Sequence, residues 1–162
     1  MKRTGGWTLE GAAVLREGDQ SVLLAYRLLC DASWHTVEGQ VIGWVGSRDA
    51  TFRIVRDQRG WTLNGSPVPG LENCVDLDLG FTPATNLVQI RRIGLGVGEA
   101  ASVPVAWLDV AGGSLSELQQ KYEKRGPRSY WYEAPRFNYQ AELEVDPDGF
   151  VTSYPGLWVA ER

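Results

Sequence analysis

The sequence predicts a mainly β protein: short antiparallel strands that meander and curl into a curved sheet, with one short helix packed against it or plugging it. Three observations carry this. Nineteen glycines in 162 residues suit tight turns between strands better than a helical bundle. Turn signals punctuate the chain about every ten residues, the rhythm of an all-β fold. Residues 137–146 alternate strictly, with Phe137, Tyr139, Ala141, Leu143 and Val145 set against polar neighbours. That is the period of a strand with one wet face.

Taken in order, residues 21–30 are mostly apolar and compatible with a strand, and 34–45 and 51–56 follow as two more. In the third, Phe52 and Ile54 face one side and Arg53 and Val55 the other. Trp61-Thr62-Leu63 runs into Asn64-Gly65, a hairpin-turn pair. Residues 74–79 alternate again and put Asp76 and Asp78 on one face. Residues 102–110 place Val103, Val105 and Trp107 together, and Pro104 marks the strand as an edge. Ser114-Leu115-Ser116-Glu117 has capping-box spacing, and Leu115, Leu118 and Tyr122 share a helical face. The one helix is therefore expected over 114–124, ending before Gly126-Pro127. Tyr130 and Tyr132 share a strand face opposite Trp131. Asp146-Pro147-Asp148-Gly149 turns the strand at 137–146 back into 150–154 as a hairpin. Tyr154-Pro155-Gly156-Leu157 should then bend the chain, with Leu157 and Trp158 returning as a short terminal strand.

The length fits a single domain over 1–162. A chain of this size buries roughly 70% of its unfolded surface and needs neither disulfide nor metal for its core. A net charge of −4 argues against nucleic acid, which attracts a basic footprint. Lys121, Lys124, Arg125 and Arg128 are interleaved with Glu123 and read as a solvated face. The first residues hold no apolar stretch, and no run approaches the ~20 apolar residues of a membrane span. The expectation is a cytoplasmic protein without a transmembrane segment, with Cys30 and Cys74 as free thiols.

Catalytic chemistry is sparsely supported. His35 is the lone histidine and has no CxxC or HxxxH partner set, so no metal and no Ser-His-Asp triad is assigned. Gly94-Leu95-Gly96-Val97-Gly98 resembles a dinucleotide loop only superficially. The fingerprint needs a helix after it, whereas residues 99–110 read as a loop and a strand, so the stretch reads as a turn between two strands. No cofactor is expected. Asp76 and Asp78 have Cβ atoms roughly 6.5–7 Å apart by strand rise, compatible with a glycosidase-like carboxylate pair or with pairing to Arg91 or Arg92. Seven Trp and six Tyr carry thirteen polar tips. A solid core would struggle to satisfy them all, whereas a cavity would let some reach a ligand.

Residues 73–86, from Asn73-Cys74-Val75-Asp76 to Pro83-Ala84-Thr85-Asn86, are distinctive, as are Gln89-Ile90-Arg91-Arg92, Gln120-Lys121-Tyr122 and the pattern from Phe137 to Tyr154-Pro155-Gly156-Leu157. In order and spacing they resemble the signature of a bacterial family called "putative glycolipid-binding" proteins. Gln89 stands where the family usually has Pro. The resemblance implies a half-barrel β fold, comparable with periplasmic carriers that hold acyl chains in a concave apolar pocket. The residues then suggest non-catalytic binding of an amphipathic ligand, lipid- or glycolipid-like, in an aromatic-lined pocket. Asp76, Asp78, Asn86, Arg91 and Arg92 would meet a polar head at the rim. Trp107, Tyr122, Tyr130, Trp131 and Tyr132 would line the pocket, with the Leu115/Leu118 helix face enclosing the tail. The alternatives are a carbohydrate-active or ester hydrolase using Asp76 and Asp78, and a protein-interaction module presenting a Trp-rich face.

Overall fold

Period-two burial organises the chain from end to end. The computed structural model describes residues 2, 3 and 5–161, and among them forms two seven-stranded sheets. The first is a pure meander of β1 (Lys2–Arg3), β2 (Gly6–Glu17), β3 (Gln20–Asp31), β4 (Thr36–Val45), β5 (Arg48–Asp57), β6 (Gly60–Leu63) and β7 (Ser66–Val68), each pairing antiparallel with the next. The second holds β8 (Asp76–Leu79), β9 (Ala100–Asp109), β10 (Ser114–Gly126), β11 (Ser129–Ala134), β12 (Tyr139–Val145), β13 (Val151–Tyr154) and β14 (Trp158–Val159). It is curled into a half-barrel. Its strands also run in sequence order and pair antiparallel, except β8 with β9, which are parallel. A parallel pair needs a crossover; here residues 80–99 supply it and carry a 3-10 turn (Pro83–Thr85) and the helix α1 (Asn86–Ile93).

The core divides at the second sheet. Val22, Leu24, Tyr26 and Leu28 of β3 point inward at every second position and cluster with Leu77, Leu79, Ala106, Leu108 and Leu115. The other face of the second sheet gathers Val103, Val105, Leu118, Tyr122, Tyr132 and Leu143, with Ile90 from α1. The register explains the division, because Leu115 sits opposite Leu108 while Leu118 sits opposite Val105.

This register corrects the helix expected over 114–124. The segment is β10, a strand whose buried side changes face along its length. Leu115 points to one cluster while Leu118, Gln120 and Tyr122 alternate onto the other, and together they imitate a helical stripe. The helix lies instead at Asn86–Ile93, just ahead of the Gly94–Gly98 stretch, where the sequence reading puts a strand. Thr82, whose hydroxyl accepts from the Ala84 amide at 3.3 Å, and Pro83 start the 3-10 turn that leads into it, and Gly94 ends it with φ of 56°. The Gly94–Gly98 stretch therefore joins a helix to a strand rather than two strands. Pro104 does not mark an edge, since β9 lies between β8 and β10. It falls one residue before β8 begins to pair at Val105, where no partner carbonyl of β8 is denied a donor.

Other expectations hold with small shifts. Asn64 and Gly65 adopt φ of 50° and 82° between β6 and β7. The late hairpin is β12–β13, and its first strand starts at Tyr139 because residues 135–137 form a 3-10 turn closed by left-handed Asn138. The chain bends after Tyr154 and returns as β14. Gln89 lies within α1, fully buried, its side-chain amide against the carbonyls of Thr85 and Asn86. Cys30 and Cys74 are buried free thiols. Among the described residues no helix is long and apolar enough to cross a membrane.

Candidate functional site

Curling brings β14 and β13 round toward the end of β8, and a cavity of about 380 Å³ opens on the concave face between them. Its walls are aromatic. Tyr132, Tyr139 and Tyr154 form a cluster with ring centroids 5.3–6.2 Å apart. Trp107 and Phe137 meet edge to face at 5.2 Å on another side, and Trp158 of β14 adds a third. The Trp107–Phe137 and Tyr132–Tyr154 pairs are edge to face, an arrangement that favours fixed ring orientations. The mouth is apolar and wet: Phe137 is 49% and Leu157 60% exposed.

The floor is polar. Asp78 enters it from β8, where the alternation Asp76-Leu77-Asp78-Leu79 sends both leucines to one core cluster and both carboxyls to the concave side. Gln120 Nε2 donates a short hydrogen bond to Asp78 Oδ2, and Thr85 Oγ1 donates to Oδ1 at 3.3 Å. Behind them, Asn86 Nδ2 donates to the Tyr122 hydroxyl at 2.7 Å, and that hydroxyl donates to Gln120 Oε1 at 3.2 Å. A chain of neutral donors thus runs from α1 to the carboxyl. Burial pushes the Asp78 pKa up to about 6, against the pull of Gln120 and Thr85 and aided by the nearby Asp76 charge. Burial likewise raises the pKa of Tyr132 and Tyr154, so both stay neutral hydroxyls.

Gly80 decides where Trp107 lies. A Cβ at residue 80 would collide with Trp107 Nε1, so only glycine lets the indole N–H come this close to the β8 backbone. Neither Trp107 Nε1 nor Trp158 Nε1 has a hydrogen-bond acceptor among the described residues, although both rings line the cavity.

The structure brings some of the expected residues together and separates others. Asp78, Asn86, Trp107 and Tyr132 line the cavity, and Tyr122 is fully buried beneath its floor. Asp76 is 0% exposed and bound by Arg92 through three contacts of 2.7–2.9 Å. Arg91 points elsewhere on α1 and donates to the Asp148 carbonyl at 2.6 and 3.0 Å. Arg91 and Tyr130 line a separate depression beside the end of α1. Trp131 is on the opposite strand face, under Arg125 at 4.4 Å and donating to Glu133 at 2.9 Å. Sequence reasoning assigned no site role to Tyr139, Tyr154, Trp158, Thr85 or Gln120. Their signals were the alternation of β12 and the bend at Pro155, read as structure only. His35 pairs with Asp31 at 3.4 Å, and among the described residues no His/Cys/Asp/Glu cluster suits a metal.

A family model described as "Putative glycolipid-binding" matches residues 1–160. The chain belongs to that family. A crystal structure of a DUF1089 family protein from Pseudomonas aeruginosa is similar at 26% identity, with a TM-score of 0.82, covering 99% of this chain and 94% of that one. Among curated proteins no sequence matches. Two of the segments that carry the glycolipid-binding resemblance converge on the cavity. Residues 73–86 contribute Asp78, Gly80, Thr82, Pro83 and Asn86 to its lining, and residues 137–157 contribute Phe137, Tyr139, Tyr154 and Leu157.

Proposed function

We propose that this protein binds an amphipathic, glycolipid-like molecule without turning it over, polar head inward. The observation that carries the reading is the order of the lining: a hydrogen-bonded carboxyl at the floor, flat aromatic walls, and exposed apolar side chains at the mouth. Aromatic faces suit the C–H faces of a sugar ring, while indole N–H groups and a carboxyl suit its hydroxyls. A volume of about 380 Å³ accommodates on the order of a dozen water-sized groups, the scale of one sugar ring rather than a long acyl chain. The tail then runs over Phe137 and Leu157. This inverts the arrangement expected from sequence, in which charged residues lay at the rim and the tail went inside.

The hydrolase alternative needs two carboxylates converging on one substrate. Among the described residues Asp78 is the one carboxylate in the cavity lining, and Asp76 is committed to Arg92. Calorimetric titration with octyl, decyl and dodecyl β-glucosides below their micellar concentrations tests the binding reading. Saturable 1:1 binding is expected, strengthening about fourfold per methylene that reaches the apolar mouth, from ~0.8 kcal/mol each. The gain should stop once the rim is covered. Trp107→Ala should weaken binding at least tenfold. No saturable heat from any glucoside up to its micellar concentration would refute the reading.

A further inference from the structure

The cavity lining contains a carboxyl group and, among the described residues, no Lys, Arg or His. Neither Arg92 nor Arg136 reaches the carboxyl of Asp78. Arg92 grips both oxygens of Asp76. Arg136 lies outside the lining, over the rings of Trp107 and Phe137 at 5.1 and 6.0 Å, and donates to Ser116 Oγ at 2.9 Å. Asp78 has only neutral partners, Gln120 and Thr85. An ionised carboxylate offers about four acceptor positions, so about two remain, and the residue faces the cavity. A carboxylate held in a poorly solvated wall repels a second anion strongly and accepts hydroxyl donors through charge-assisted hydrogen bonds.

We infer that the cavity selects uncharged, hydroxyl-rich head groups and rejects anionic ones such as sulfonate or phosphate, with Asp78 setting the discrimination. This rests on the reading that the cavity takes the head of an amphiphile. It replaces the expectation that Arg91 and Arg92 meet the polar head at the rim. The groups packed around Asp78 do not offset its charge. Asp76 shares its strand and is paired with Arg92 from α1; Thr85 and Asn86 are neutral. Tyr122 of β10, Tyr132 of β11 and Tyr154 of β13 have pKa values raised by burial and remain uncharged.

The test titrates octyl β-glucoside and octanesulfonate, equal in chain and different in head, into wild-type protein and Asp78→Asn. Octanesulfonate keeps its charge at every pH used. At pH 8 wild type should bind the glucoside at least tenfold more tightly than the sulfonate. That ratio should shrink severalfold at pH 5, where Asp78 is largely protonated, and in Asp78→Asn at pH 8. The wild-type pH comparison needs no substitution, so it stands even if the variant folds poorly. Equal affinities at pH 8 would overturn the selectivity while leaving the cavity as a head-group site. A ratio unchanged by both pH and substitution would remove Asp78 as its determinant. If neither probe binds saturably, the amphiphile reading fails and takes this inference with it.

Discussion

Asp76 and Asp78 leave the same face of β8 into different electrostatic surroundings. Asp76 is neutralised by Arg92, whereas Asp78 is buried against neutral donors. Its folded pKa of about 6 stands above the usual ~3.9. Between those values the folded state binds more protons than the unfolded one, so stability contributed by this group falls as pH rises. The loss is complete above the folded pKa and amounts to up to about 3 kcal/mol. Urea unfolding of wild type and Asp78→Asn at pH 4, 5, 6 and 7 should show the wild-type advantage shrinking by that order across the series. A difference that is flat in pH would contradict the burial account of Asp78. The pairing of one arginine with one of these aspartates was legible from sequence, because both residue types sit close together in the chain. Which arginine was not: Arg91 and Arg92 are on a helix, where successive residues diverge by about 100°. One reaches Asp76 and the other Asp148.

Strands with one wet face announced themselves: the burial of β3, β5 and β12 alternates, and β13 was readable from the turn that precedes it. β10 was not, because its buried positions change face between Leu115 and Leu118 and include the polar Gln120, so no single apolar alternation marks it. α1 was hidden for a related reason. Its buried residues include Asn86 and Gln89, so the eight-residue helix shows no clear apolar stripe. The edge of β8 opposite β9 illustrates how the two sheets are joined. The Thr36 amide donates to the Val75 carbonyl at 3.0 Å, and the Thr36 hydroxyl accepts from the Leu77 amide at 2.9 Å. A residue from the start of β4 therefore covers an otherwise open strand edge. Gly39 on the same strand leaves room for Leu77, which a Cβ there would strike. Thr36→Val keeps the shape and removes the acceptor. Since Thr36 is buried, the orphaned Leu77 amide should cost about 1–3 kcal/mol. Chemical denaturation reads this directly, and an unchanged midpoint would show that the link contributes nothing.

At the scale of the whole molecule, one apolar cluster between the sheets is separate from the concave face that holds the cavity. An open pocket can persist there because the core does not depend on filling it. The family resemblance pointed to a half-barrel with a concave pocket, and the half-barrel is present. The makeup of the cavity was beyond sequence reading, since Tyr139, Tyr154 and Trp158 meet Asp78 only when the sheet curls far enough to bring its two ends together. The seven tryptophans make the central claim measurable. Trp107 and Trp158 line the cavity, Trp61 is buried with its N–H on the Cys74 carbonyl at 2.9 Å, and Trp44 and Trp131 lie outside it. In a ¹H–¹⁵N spectrum titrated with octyl β-glucoside, the indole resonances of Trp107 and Trp158 should shift together and saturate, with those of Trp61, Trp44 and Trp131 unmoved. Shifts confined to Trp44 or Trp131, or no shift at Trp107 and Trp158 at millimolar ligand, would contradict a ligand site in the half-barrel.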